Sequence, residues 1–155
     1  MAEDARFEDG AERPLRLRAL DDEDLRVLSS LVQDAVFPLG EMTWDRGARR
    51  FALLINRFRW EELTERRAPE RVQSVLAIED VSSVRSQGLD RQDKEVVLSL
   101  LSIEWRAGDD GTGHVSLLLA GDGVIELAVE ALELSLRDVT RPYVAPSGKR
   151  PDHPA

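Results

Sequence analysis

The sequence predicts an α+β fold in which a mostly antiparallel sheet curls into a partial barrel, with an early helix and a C-terminal helix. Residues 96–105 form the longest β-branched and aliphatic run, with apolar side chains on both parities, as in a strand covered on both faces. Residues 114–120 form a second such run, after a Gly- and Asp-rich loop that can reverse the chain. Residues 21–32, by contrast, have a helical period.

A short strand and this helix open the predicted domain. Residues 15–20 alternate apolar and other side chains, which predicts a strand. Asp21 is a favourable N-cap, and the three acidic residues after it suit the positive end of the helix dipole. The helix should end near residue 31 or 32, because Pro38 and Gly40 break the pattern.

The middle of the chain is predicted to be extended. Residues 33–46 suggest two short strands, and residues 50–58 form a longer one with apolar side chains on both faces. Residues 61–70 are a polar linker or one exposed helical turn. Residues 72–78 then alternate, and residues 81–86 continue as an extended segment.

The last predicted element is a helix. A Gly-Asp-Gly turn at residues 121–123 predicts a third consecutive antiparallel strand from Val124. Apolar side chains between residues 125 and 139 fit both a strand and a helical face. We predict a strand through Val129 that passes into a helix over residues 130–138, where Ala, Leu and Glu favour helix. This order resembles a pleckstrin-homology-like barrel, in which a C-terminal helix plugs one end.

Length and composition fit one domain. The chain has 155 residues, of which 42% are hydrophobic, enough for a core without disulfides or a metal. Cysteine is absent, the N-terminus is unlike a signal peptide, and no apolar run approaches the ~18 residues of a membrane span. We therefore expect a cytoplasmic protein with no membrane association. One globular domain should cover residues 14–141, with disordered tails at 1–13 and 142–155.

Charge is unevenly distributed along the chain. The net charge is −9, yet residues 46–71 hold eight Arg and four Glu. An acidic body argues against nucleic-acid binding, which needs a basic face. Because the arginine fork suits carboxylate and phosphate, the segment indicates a local site for an anion or a partner. The alternative is a solvated loop in which Arg and Glu neutralise each other.

Two polar groups lie where apolar strands run into polar sequence, and strand ends are where binding sites tend to occur. We predict that the two groups converge into an anion- or partner-binding site made of Asn56, Arg57, Trp60, Arg85, Ser86 and Gln87. Guanidinium and amide groups can grip a carboxylate or phosphate, and an indole offers a stacking surface. The alternative is structural, with both arginines paired to carboxylates such as Asp34, Glu79 or Asp80.

The sequence marks no catalytic, metal or cofactor site. His114 is the only histidine outside the predicted tails, and without a second His or a Cys it lacks the ligand count for zinc. The Asp-Asp-Gly-Thr-Gly run at residues 109–113 lacks the spacing of a calcium loop and predicts a hairpin tip. No phosphate-binding glycine loop, nucleophile elbow or zinc-protease motif is present. We predict no cofactor and no metal.

Three stretches together resemble a known family. They are the run Arg-Phe-Ala-Leu-Leu-Ile-Asn-Arg-Phe-Arg-Trp-Glu at residues 50–61, Val-Arg-Ser-Gln-Gly at 84–88, and Val-Leu-Ser-Leu-Leu-Ser-Ile at 97–103. Gln-Asp-Ala at residues 33–35 and the segment 125–139 fit the same pattern. The chain is similar, over roughly residues 15–139, to a bacterial family known as domain of unknown function 2948. The resemblance implies a cytoplasmic bacterial protein and brings no activity, cofactor or catalytic residue.

Three functions stay open on the sequence. The first is a non-enzymatic binding or adaptor domain that holds a protein segment or small anion at a sheet edge, or near Arg57 and Arg85. The second is an enzyme acting on a small anionic substrate, with Asp34 as base. The third is a structural homo-oligomer whose subunit interface buries aromatic residues, namely Trp44, Phe58 and Trp60.

Overall fold

The computed structural model describes residues 14–62, 70–90, 92–141 and 143–144. One helix, α1, covers Asp22–Leu31. The strands are β1 Arg16–Ala19, β2 Val36–Pro38, β3 Met42–Asp45, β4 Arg50–Phe58, β5 Glu70–Ile78, β6 Val81–Gln87, β7 Val97–Ala107, β8 Gly113–Leu119, β9 Val124–Val129, β10 Leu134–Asp138 and β11 Tyr143–Val144. The predicted N-terminal tail lies outside the described residues, as does the predicted C-terminal tail apart from β11.

All strands belong to one antiparallel sheet. Its order is β1-β10-β5-β4-β2-β7-β8-β9-β6, with β11 paired to β5 and β3 paired to β4. β1 and β6 are the two ends of the order and do not pair with each other, so the sheet is not closed. The predicted antiparallel sheet with an early helix is therefore confirmed.

Helix α1 forms where its capping signal indicates. The Asp21 side chain accepts a hydrogen bond from the Asp24 N–H at 2.8 Å, and the helix buries Leu25 and Leu28. It packs against β7 and β1, and the Ser29 hydroxyl accepts a hydrogen bond from the backbone N–H of Ile103 at 2.9 Å. The helix thus covers one side of the sheet and completes the core there.

The predicted C-terminal helix is wrong. Residues 134–138 form β10, which pairs with β1 on one side and β5 on the other. Leu134, Leu136 and Asp138 point inward and are buried, whereas Arg137 is exposed. Pairing on both edges outweighs a helix propensity that differs by only a few tenths of a kcal/mol per residue. With this helix absent, the likeness to a pleckstrin-homology-like barrel is not found.

Strand β7 is central by pairing but is not covered on both faces. It pairs with the three-residue β2 and with β8, as the sequence indicates for an interior strand. Leu100 and Ile103 are buried in the core, while Val97 is 61% exposed and Leu101 is 41% exposed. The pairing with β8 shifts register between Leu100 and Ser102, which moves the core-facing side chains from one parity to the other. Apolar residues on both parities therefore arise from one core face, this shift and some exposed apolar side chains.

A bend between β5 and β6 separates β6 from β4. After Ile78, the chain turns through Asp80, which has a left-handed φ of 56°. The Val81 N–H donates to the Arg49 carbonyl at 2.9 Å, and β6 then pairs with β9 instead of β4. A gap is left between β6 and the hairpin formed by β3 and β4.

Candidate binding cleft

A cleft of about 690 Å³ occupies this gap. We call it the β3–β6 cleft. It is lined by Leu39, Met42, Trp44, Arg46, Arg49, Phe51, Val81, Ser82, Ser83, Val84, Arg85, Ser86, Leu89, Lys94 and Ile125. The volume lies within the range of roughly 300–1,000 Å³ that is typical of small-molecule sites.

The floor of the β3–β6 cleft is apolar. Phe51, Val81 and Ile125 reach it from β4, β6 and β9 and are at most 3% exposed, so the floor is part of the core. Met42 and Trp44 alternate on β3, and both are half-buried on the side that faces the cleft. A ligand in the cleft would therefore contact apolar and aromatic surface.

The rim of the cleft is cationic. Arg46 and Arg49 come from the β3–β4 turn, Arg85 from β6, and Lys94 from the β6–β7 loop. The turn is held by the Asp45 side chain, which accepts from the Ala48 N–H at 3.0 Å. Among the described residues, no Asp or Glu lines the cleft.

One of the four cations already forms an ion pair with a carboxylate. Arg49 forms an ion pair with Glu130 at 2.6 Å, outside the lining. The hydrogen bond and the charge of Arg49 lower the pKa of Glu130. Arg46, Arg85 and Lys94 form no ion pair with any residue of the described ranges. Three cations of the rim therefore form no ion pair within the part of the chain that the structure describes, and Glu126 lies opposite Arg85 in the β6–β9 register.

The structure places three of the sequence-predicted site residues together. Arg85 and Ser86 line the β3–β6 cleft. Gln87 lies beside them, in a neighbouring depression of about 170 Å³ that Arg85 and Ser86 also line together with Glu126. The β6 part of the predicted site therefore opens onto a surface that a ligand can reach.

Arg57 is not brought to this surface. Its side chain is 0% exposed and contacts two carboxylates. Its Nη2 donates to Glu61 at 2.7 Å and to Asp138 at 3.1 Å, and its Nε donates to the Ser74 hydroxyl at 3.1 Å. Asp138 also accepts the backbone N–H of Leu15 at 2.9 Å. This network ties together β4, β5, β10 and the residue before β1.

The environment of Arg57 keeps the network charged. Burial by itself would lower the pKa of Arg57, but the hydrogen bond and charge of Glu61, with a further contribution from Asp138, raise it instead. Burial would likewise raise the pKa of Glu61, yet the two-pronged hydrogen bond from Arg57 and its charge lower it. Arg57 is thus paired with carboxylates inside the protein, as the structural alternative in the sequence analysis describes. Its partners are Glu61 and Asp138, and not the Asp34, Glu79 or Asp80 named there.

Arg57 on β4 and Arg85 on β6 do not converge, because the two side chains lie toward opposite ends of β5. Arg57 is paired in register with Val72 near the start of β5, whereas β6 follows the end of β5. Among the described residues, Asp34 is not one of the carboxylates that contact Arg57. Asp34 lies in the turn after α1 with a left-handed φ of 66°, and its N–H donates to Leu100 at 2.8 Å.

The other predicted residues stay near Arg57. The Asn56 side chain accepts a hydrogen bond from Arg71 at 3.2 Å. Trp60 donates from its indole N–H to the Gln33 carbonyl at 3.1 Å and packs on Phe58 with ring centroids 4.7 Å apart. Phe58 is itself 0% exposed. Of the three aromatic residues considered for a subunit interface, Phe58 is therefore already buried within the chain.

Sequence reasoning missed most of the cleft. The arginine-rich segment 46–71 contributes Arg46 and Arg49 of the β3–β4 turn to the lining of the cleft, whereas the sequence prediction used Arg57 from the same segment. Met42 and Trp44 alternate next to that turn, which is the pattern of a strand with one face toward a cavity. Lys94 gave no usable signal, because its place in the cleft depends on how the loop before β7 returns.

The described part of the chain contains no group of three His, Asp or Glu positioned to hold a metal ion. None of its helices is both long and apolar enough to cross a membrane.

Comparison with known proteins identifies the family. Neither a curated protein nor a solved structure matches this chain. The family model described as "Protein of unknown function (DUF2948)" matches residues 15–153. This span includes every strand of the sheet, the helix and the whole β3–β6 cleft. The chain therefore belongs to the DUF2948 family.

Proposed function

We propose that this protein is a binding domain whose β3–β6 cleft holds an anionic ligand that also carries an apolar part. The observation that carries the proposal is the composition of the lining, whose described residues place four cations and no carboxylate above an apolar floor. The proposal includes a cytoplasmic location, which the absence of cysteine supports.

The charge of the rim favours an acidic group on the ligand. Arg46 and Arg85 can each donate two parallel hydrogen bonds to a carboxylate, sulfonate or phosphate, whereas Lys94 acts as a point charge. Attraction between charges strengthens as water is excluded, and the half-buried ring of Trp44 excludes water from one side of the cleft. A cationic ligand would find no counter-charge among the described residues that line the cleft.

The floor favours an apolar group on the same ligand. Burying apolar surface stabilises a complex by about 25 cal/mol per Å². A purely ionic ligand such as free phosphate would leave the half-buried side chains of Met42 and Trp44 in contact with water. An amphiphilic anion satisfies both parts of the lining.

The proposal is tested by calorimetric titration with two amphiphilic anions, decanoate and naphthalene-2-sulfonate. Each is compared with its neutral analogue, decanol or 2-naphthol. We expect at least one anion to bind, and to bind more tightly than its neutral analogue. The double substitution Arg46→Ala with Arg85→Ala should weaken that binding by about tenfold or more, because it removes two charge-assisted contacts.

A matched control removes two arginines elsewhere. Arg18 and Arg26 are 64% and 81% exposed and form surface ion pairs outside the cleft, so Arg18→Ala with Arg26→Ala changes the net charge equally. This control should bind the anion like the parent protein. Equal weakening in both double variants, or no preference of either anion over its neutral analogue, would contradict the proposal.

A further inference from the structure

The way β6 lines the cleft carries information about the ligand. Six consecutive residues, from Val81 to Ser86, line the β3–β6 cleft. Successive side chains of a strand point to opposite faces, so a cavity on one face would contact every second residue. β3 behaves in this way and contributes Met42 and Trp44 alone. Contact with six of the seven residues of β6, all except Gln87, means that the cleft runs along its backbone edge.

That edge has no strand partner in the part of the chain that the structure describes. β6 is the last strand in the sheet order, and it pairs with β9 alone. On the cleft side, the Val81 N–H is satisfied by the Arg49 carbonyl, and no backbone hydrogen bond is found beyond it along Ser82–Gln87 within the described ranges. Such a row of open N–H and C=O groups is a template for another strand.

The two ends of the sheet differ in how they are protected. β1 has four residues, and two of them are the exposed Arg16 and Arg18, which is a common device against unwanted strand pairing. β6 has seven residues, and Arg85 is its only charge and no proline interrupts it. β6 is therefore the end that remains competent to accept a strand.

We propose that the ligand of the β3–β6 cleft is an extended acidic segment of a partner protein, which adds to the sheet as a strand beside β6. This inference rests on the proposed function and names its ligand class. Val84 and Ser86 face inward and are half-buried, whereas Arg85 and Gln87 face outward and are exposed. A strand beside them presents one face to the apolar floor and the other to Arg85.

The cleft thus selects for alternating apolar and acidic side chains. The inward side chains of the added segment pack along Trp44, Phe51 and Val84, and its outward carboxylates meet Arg85. The contacting part of β6 spans about 17 Å at ~3.3 Å per residue, so the segment is about five to six residues long. Main-chain hydrogen bonds supply affinity and the alternating side chains supply specificity.

The test uses the full-length protein and a seven-residue acetylated and amidated peptide that alternates valine and glutamate. Two further peptides carry backbone N-methyl groups, one on all valines and the other on all glutamates. Both keep the side chains and charge, but each loses the N–H groups on one edge. We expect the parent peptide to bind, and the two methylated peptides to differ in affinity by tenfold or more, because only one edge faces β6.

A second readout is amide hydrogen exchange followed by NMR. The bound peptide should slow the exchange of alternate amides between Ser82 and Gln87. A lysine-for-glutamate peptide should not bind. Equal affinities of the two methylated peptides, or unchanged exchange along β6, would overturn strand addition.

The outcomes separate this inference from the proposed function. If decanoate or naphthalene-2-sulfonate binds in a manner that depends on Arg85 while the peptide does not bind, the ligand class is wrong and the anion-binding function stands. If neither kind of probe binds, both proposals fail. If the protein is instead dimeric and the dimer buries β6, the occupant is a second copy and the partner segment is excluded.

Discussion

Replacement of Arg57 by methionine should cost far more stability than replacement of any arginine on the cleft rim. The Arg57 side chain is 0% exposed, and that of its partner Asp138 is 3% exposed. In Arg57→Met, the Asp138 carboxylate keeps its hydrogen bonds from Ser74 and Leu15 but loses the only cation that contacts it among the described residues. Breaking a buried pair on one side typically costs about 3–5 kcal/mol. We expect a loss in this range.

The assay is urea denaturation at pH 7, with the free energy of unfolding compared between variants. Arg18→Met serves as a control, because the Arg18–Glu133 pair is 64% and 30% exposed and should contribute less than about 1 kcal/mol. Adding Asp138→Asn to Arg57→Met should recover part of the loss, since it removes the unpaired charge. A loss below about 1 kcal/mol for Arg57→Met would refute a structural role and would reopen Arg57 as a ligand-binding residue.

Two further predictions concern Glu61 and Glu130, which are each paired with a different arginine. The pKa of Glu61 is lowered in the folded protein, so its ionised form stabilises the fold at neutral pH. This contribution should decrease once the pH falls below about 4.5, the pKa of Glu61 in the unfolded chain, and it should be lost as the pH falls through the lower pKa of the folded protein. Urea denaturation should therefore show a deficit for Glu61→Gln at pH 7 that shrinks toward pH 3; a deficit that grew on acidification would contradict the assignment. Glu130→Gln should free Arg49 and raise the affinity of the cleft for the anionic probe by up to about fivefold, as measured by calorimetry at low salt. Weaker binding in Glu130→Gln would mean that the pair orients Arg49 for the ligand.

The strand pattern was readable from the sequence wherever local periodicity and pairing agree. The Asp21 cap, the alternation of β5 and the Gly-Asp-Gly turn before β9 all lie where the side chains indicate. The C-terminal helix failed because residues 130–138 have a good helix composition, and only long-range pairing with β1 and β5 decides for a strand. Contacts between distant segments are not encoded in a local window.

The same error hid the role of Arg57. On β4, Arg57 has the parity of Phe51 and Ile55, which face the core, so alternation alone indicates that it points inward. As a strand, residues 134–138 place Asp138 on the buried parity and supply the counter-charge. With those residues read as a helix, Asp138 was not among the carboxylates considered as partners of Arg57, and Asp34, Glu79 and Asp80 were named instead.

The distribution of charge explains how an acidic protein can carry an anion site. The net charge is −9, and beyond a Debye length of about 8 Å at physiological salt the body and the cleft are screened from each other. We expect a long polyanion such as nucleic acid to be repelled, because it must lie against many surface carboxylates at once. The acidic segment that we propose would instead meet Arg46, Arg85 and Lys94 in the β3–β6 cleft, whose described lining contains no carboxylate. The acidic exterior thus narrows the proposed ligands to anions short enough to fit between β3 and β6.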